Sequence, residues 1–453
     1  MSGIIGVYSV KGKTVADELY LGTIALQHRG EEGCGISIER KDDFYTPKGK
    51  QLAYYFFRDV TNGLNGLREK NPTSAIGHTL YESSGGPQPV EEWGENHMIS
   101  LAMDGVMLGF GGKNDSVMRV LFSRYLDETG DFYSAGEKLM KKLKGRGSYC
   151  VASLVKNKDG TSLVSFRDPK GIKPYCLGRK EEKYIVASES KALDGIEADF
   201  IRDIKPGEMI VVNKKGLESR LLVEEEHAHC FFEWIYFADP TSTIEGKNVY
   251  EVRKELGRKL ARRYVDRVSD ADLIMASPDS GRAVSIGFQQ ELSRIKNKQI
   301  PYEEVSVKNP GARRTFQVED EEERRLIART KFFVNKGLVE GKNVVVGDDS
   351  IVRGTVFRNG IIYKLRRAEA EKIYPIISCP ALLHACIKDP KGKNFIAYGL
   401  EGTLEEIGEQ VAKKLHADFV CYPSTEDLIE SIGFTDLCKA CIDGVFPVDE
   451  KWF

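Results

Sequence analysis

Two adjacent carboxylates, Asp348 and Asp349, close an apolar run and open a string of small and hydroxyl-bearing residues, Ser350-Ile351-Val352-Arg353-Gly354-Thr355. Vicinal hydroxyls, such as those of a ribose, can donate to such a carboxylate pair. Backbone N–H groups at the start of a following helix, with the Ser and Thr hydroxyls, can hold a phosphate. A sugar phosphate therefore suits the string as a whole. A solvated Asp-Asp turn closing a structural βα unit would explain the pair alone, but not the ordered residues after it. Near the C-terminus, Cys438-Lys439-Ala440-Cys441 has a spacing that can supply half a metal site.

The elements around the carboxylates read as alternating strands and helices. Residues 342–347 are an apolar strand and 355–368 a helix. Upstream, 273–277 (LIMAS) is a short strand, PDSGR a loop, and AVSIGFQQEL a helix. Residues 249–268 put Val249, Val252, Leu256 and Leu260 on one helical stripe. This order predicts a parallel sheet with helical crossovers, whose ligands bind at the carboxyl ends of strands, where both loops fall. The first 225 or so residues differ. Short runs rich in β-branched and aromatic residues, such as 148–155, 161–168 and 183–190, predict an antiparallel β-rich unit, with helices at 16–28 and 116–126. The change of pattern falls at 225–245, and the expected domains are 1–230 and 231–453.

The charge balance, 66 basic against 68 acidic residues, gives no bulk attraction to nucleic acid or an anionic membrane. No apolar run approaches the roughly 20 residues that span a bilayer. The opening MSGIIGVYSV lacks the features of a signal peptide, so a cytoplasmic location is expected. Nine cysteines in a chain of this length are not a secreted disulfide framework, and the odd number argues further against one.

The string Val344–Val356 resembles the PRPP (5-phosphoribosyl-1-pyrophosphate) motif of type I phosphoribosyltransferases, specifically of glutamine PRPP amidotransferases. GIIGV (3–7), ALQHRGEEGCGIS (25–37), IGH (76–78), FRDPKGIKPYCLG (166–178), VASESKALD (186–194) and IKPGEMI (204–210) resemble the N-terminal-nucleophile glutaminase half of the same family. The resemblance implies an α/β protein: a four-layer αββα glutaminase-like domain followed by a parallel-sheet phosphoribosyltransferase domain. It implies that Asp348 and Asp349 bind the ribose hydroxyls, and that Ser350, Ile351, Val352, Arg353, Gly354 and Thr355 cradle the 5′-phosphate. Asp279, Ser280 and Gly281 would face pyrophosphate. Lys308 and Arg314 match a loop that closes over PRPP, and Mg²⁺ would lie near Asp348 and Asp349, bridging pyrophosphate and ribose oxygens. Gly347 stands where the family has an apolar residue, and Pro310 and Arg313 depart from its flexible loop.

Glutamine hydrolysis in this family uses an N-terminal Cys as nucleophile. Here the position is Ser2, exposed if Met1 is removed. The Arg that binds the glutamine carboxylate falls at Leu80, which leaves that carboxylate without a partner. The oxyanion-hole Asn falls at Asp104, before Gly105, and a carboxylate there opposes developing negative charge. Asp115 matches the acid that holds the glutamine amine. The expectation is an inactive glutaminase half. Cys230, Cys386, Cys438 and Cys441 match the ligands of the family's [4Fe–4S] cluster, with Zn²⁺ as the alternative. His227 and His229, which flank Cys230, read more readily as loop histidines than as ligands.

The function implied is that of an amidophosphoribosyltransferase of purine synthesis, making 5-phosphoribosylamine from PRPP and ammonia. It is expected to be a homo-oligomer open to nucleotide inhibitors. Two alternatives stay open: a non-catalytic paralogue that senses PRPP or nucleotides, and phosphoribosyl transfer to a different amine.

Overall fold

A computed structural model describes residues 2–81, 86–110, 113–309, 321–387 and 393–452. In the first half, an eight-stranded antiparallel sheet runs in the order 199–203, 176–180, 183–187, 3–9, 74–80, 33–39, 44–45, with 48–49 also on 33–39. A second sheet orders 216–221, 208–213, 160–167, 147–157, 97–107 and 90–93. Strand Gly3–Ser9 is buried along its whole length. Its alternate side chains explain why. Ile4 and Tyr8 pack with Ala152, Leu163 and Ile210 between the sheets, whereas Ile5 and Val7 face Leu19, Phe56 and Leu67 of the outer helices. On the far side Met118, Phe122, Leu139 and Met140 cover the second sheet. Helices, sheet, sheet and helices make the expected αββα layering.

In the second half, strands Leu273–Ala276, Asn343–Asp348 and Lys372–Ile377 are parallel, with 343–348 in the centre. Single bridges at Ile274–Tyr302 and Ile376–Cys421 extend the sheet on both sides. Helix Val249–Tyr264 buries Val249, Val252, Leu256 and Leu260, as its stripe predicts, and Asn248 caps it by accepting from Glu251 N–H. With helix Arg282–Ile295 it packs on the face that carries Ile274, Val345 and Ile376. The opposite face carries Leu273, Val344 and Ile373 against Ile361, Leu365 and Val411.

The helix predicted over 355–368 is helical but irregular. It widens to π geometry over Phe357–Ile362 before an α-helical turn at Tyr363–Arg367. The helix predicted over 16–28 is α-helical only for Ala16–Ala25, followed by a 3₁₀ turn at Gln27–Arg29. No helix among the described residues is long and apolar enough to cross a membrane.

Candidate active site and cysteine cluster

Asp348 ends the central strand and Asp349 starts the loop. Asp348 is half-buried and Asp349 buried. Ser280 Oγ donates to Asp348 Oδ1 at 2.8 Å, joining the two loops expected to share a ligand. Asp349 N–H turns back to the same oxygen at 2.9 Å, and Ser350 Oγ donates to Asp349 Oδ1 at 2.9 Å. The loop is also held from behind. Ser378 N–H and Cys379 N–H donate to the carbonyls of Asp348 and Asp349 at 3.2 and 2.9 Å. Burial and the neighbouring Asp349 carboxylate push Asp348 up to about 8, and burial also raises Asp349, with Arg253 opposing.

The carboxyl ends of the strands approach closely through glycines. A Cβ on Gly281 would stand 1.9 Å from the Gly347 carbonyl oxygen, so only glycine fits there. At Gly347, Ser285 Oγ occupies the place of a Cβ, 2.0 Å from it, and is fixed by donating to the Met275 carbonyl at 2.9 Å. The departure at 347 thus has a partner on the facing helix. Lys308 and Asp279 form an exposed pair at 3.7 Å beside this opening. Arg314, Pro310 and Arg313 lie outside the described residues.

In the first half, Ser2 lies buried at the sheet end, with Leu80, Asp104 and Asp115 all buried. Ser2 N–H donates to Asp104 Oδ1 at 2.8 Å. Asp104 Oδ2 also pairs with the fully buried Arg29 at 3.3 Å. Arg29 reaches further, to Glu189 at 2.5 Å and to both oxygens of Glu233 at 3.1 and 3.3 Å. Lys173 donates to Glu233 Oε1 at 3.2 Å, and His28 Nε2 lies 2.9 Å from Glu189. Burial alone would lower the pKa of Arg29, but Glu233, Glu189 and Asp104 hold it well above its ordinary value. Burial would raise Glu189, but Arg29 and His28 hold it below the carboxylate range. The position matched to an oxyanion-hole donor is therefore a buried counter-charge. Asp115 sits in the first turn of helix Asn114–Thr129 and accepts from Ser116 N–H.

These partners were missed in the sequence. Arg29, Lys173 and Glu189 sit inside the strings that carry the resemblance, but the sequence reading gave them no role of their own. A charged residue inside an otherwise apolar or Gly-rich string was the available signal.

The cysteines form a third group. A parallel bridge sets Cys230 opposite Cys438. Burial raises the thiols of Cys230, Cys438 and Cys441, and the neighbouring Cys386 sulfur raises each of them further. Cys379, at the back of the Asp349 loop, borders the group. Among the described residues, no three of these sulfurs come within 4.8 Å of one another.

No family model matches the chain. Curated relatives do. Amidophosphoribosyltransferase of Methanocaldococcus jannaschii is 35% identical over 99% of this chain and 98% of its own. That of Bacillus subtilis is 31% identical over 98% and 94%. Among solved structures, glutamine PRPP amidotransferase from B. subtilis, complexed with ADP and GMP, superposes with a TM-score of 0.83 at 29% identity, over 99% of this chain and 97% of that one. A structure described as the allosteric regulatory enzyme of purine biosynthesis gives 0.84 at 28% identity, over 100% and 97%. With both halves matched, the chain belongs to the amidophosphoribosyltransferase family, phosphoribosyltransferase enzymes of purine biosynthesis.

Proposed function

We propose that the chain displaces pyrophosphate from PRPP with ammonia, and that its glutaminase half, residues 1–230, is silent. The observation that carries the first part is the Asp348–Asp349 pair, half-buried and buried, tied to the pyrophosphate-side loop through Ser280. The pair accepts from the ribose 2′- and 3′-hydroxyls. Ser350 through Thr355 hold the 5′-phosphate, and Asp279, Ser280, Gly281 and Lys308 border the pyrophosphate. Ammonia nitrogen bonds to C1 as the C1–O bond breaks; pyrophosphate leaves with the electron pair, and the amine loses a proton to solvent. Positioning and charge stabilisation carry such a step. The acidic, partly buried pair suits a divalent cation bound with the substrate, and Mg²⁺ there would offset charge on the leaving group.

The second part rests on the ionic network. A carboxylate, Asp104, held by Ser2 N–H and by buried Arg29, stands where an oxyanion would need a donor. Leu80 offers no partner for a substrate carboxylate. The nitrogen donor is then ammonia itself, free or delivered by another protein. Cys230, Cys386, Cys438 and Cys441 would hold a [4Fe–4S] cluster, whose role is to join the tail to the segment at 230. Purine nucleotides are proposed inhibitors, a reading supported by the B. subtilis enzyme's complex with ADP and GMP. A cytoplasmic homo-oligomer fits this role.

The test is pyrophosphate release from PRPP and Mg²⁺ by anaerobically purified protein, with ammonium chloride and glutamine supplied separately. Turnover with ammonium alone is expected. Equal turnover with glutamine would overturn the silent glutaminase, and no turnover with either would favour a PRPP-sensing regulator.

A further inference from the structure

His227, His229 and Asp436 each bring one donor atom within 4.8 Å of the others. Asp436 Oδ2 lies 3.5 Å from His227 Nδ1 and 3.8 Å from His229 Nε2. Two ligands on a tetrahedral zinc ion, each about 2.0–2.1 Å from it, stand about 3.4 Å apart. The three donors are thus close to that arrangement, and small side-chain rotations close it.

The backbone fixes them there. His229 N–H donates to the Asp436 carbonyl at 2.9 Å, and His229 pairs with Leu437 on a parallel bridge. The His229 ring is oriented as metal-bound imidazoles commonly are. Its Nδ1 lies 2.9 Å from the Gly171 carbonyl, and a proton donated there leaves the Nε2 lone pair facing Asp436. Among the described residues Nε2 makes no hydrogen bond, although the side chain is buried. The Phe434 ring stands edge-on to His229, with centroids 5.7 Å apart. Arg167, which can only donate, also lies 3.4 Å from Nδ1, but the Gly171 contact is shorter by half an ångström, and Arg167 is bound more closely by Glu245 at 2.6 Å.

We propose that His227 Nδ1, His229 Nε2 and one Asp436 oxygen form a binding site for a divalent transition-metal ion of the zinc type. Two imidazoles and one carboxylate favour zinc, cobalt or nickel over magnesium or calcium. His227 and Asp436 are 44% and 38% exposed, so the fourth position opens to water. The site is separate from the cysteine set, although Cys230 and Cys438 are its chain neighbours. It adds a second clasp between the segment at 227–230 and the C-terminal tail.

The experiment titrates cobalt chloride into the full-length, anaerobically purified protein and follows visible absorption, with zinc chloride as competitor. Expected are weak ligand-field bands without thiolate-to-cobalt charge transfer, displaced by zinc. His227→Ala and Asp436→Asn should each weaken this binding at least about tenfold, since loss of even a supporting group costs that much. Both side chains are exposed, and Asp436→Asn keeps the carbonyl that His229 uses, so circular dichroism should match the parent. Zinc chloride should raise the melting temperature of the parent but not of His227→Ala. Cobalt binding left unchanged by both substitutions, or bands from thiolate coordination alone, would overturn the site.

Discussion

Asp348 and Asp349 are crowded carboxylates in a site too dry to ionise both easily. The pKa of Asp348 in the folded protein, about 8, lies above its unfolded value. Its contribution to stability is therefore full below about pH 4 and is lost as pH rises through about 8. Two donating ribose hydroxyls and a nearby Mg²⁺ favour the ionised pair, so Mg²⁺-PRPP should expel a proton and bind more tightly as pH rises toward 8. Calorimetry at pH 7 in buffers of different ionisation enthalpy should reveal the release; identical heats would contradict it. Replacing both, Asp348→Asn with Asp349→Asn, should abolish PRPP binding, and unchanged affinity would remove them from the site. At the other site, Ser2→Cys, Leu80→Arg and Asp104→Asn together should raise glutamate release from glutamine. No rise would mean that what keeps that half silent lies deeper than these three positions.

Among the elements, the strand 343–348 and helix 282–295 meet without room to spare. Gly347→Ala should cost about 1–3 kcal/mol, the usual effect of forcing atoms into a packed core. Ser285→Ala in the same chain should recover part of it by vacating the space that the new methyl needs. Denaturant melts of the two single variants and the double variant would show the coupling, and strict additivity would refute it. Nothing in the string around Gly347 reveals this pairing, because Ser285 is 62 residues away along the chain. The stripe Val249–Leu260 and the strand before Asp348 were legible, since their periodicity is local. The π segment was not: Phe357–Ile362 has an ordinary helical pattern, in which nothing marks the widening.

For the whole molecule, the sequence revealed the two halves and their layer order, but not what joins them. The joint is ionic. Arg29 and Lys173 find Glu233 from 204 and 60 residues away, and no periodicity reports contacts of that range. Glu233→Ala should cost about 3–5 kcal/mol, as expected when a buried cation loses its partner, and a denaturation midpoint close to the parent's would show that water or another group takes its place. Glu189 adds a second thread, accepting from Asp239 N–H at 2.9 Å and Ser242 Oγ at 2.8 Å. This arrangement has a consequence for synthesis on the ribosome. When the last strand of the second sheet has emerged, Glu233, which both buried cations reach in the folded chain, is still inside the exit tunnel. The N-terminal layers can assemble early but can only settle once residues 233–242 have left the exit tunnel, so their folding waits on the opening stretch of the half that follows.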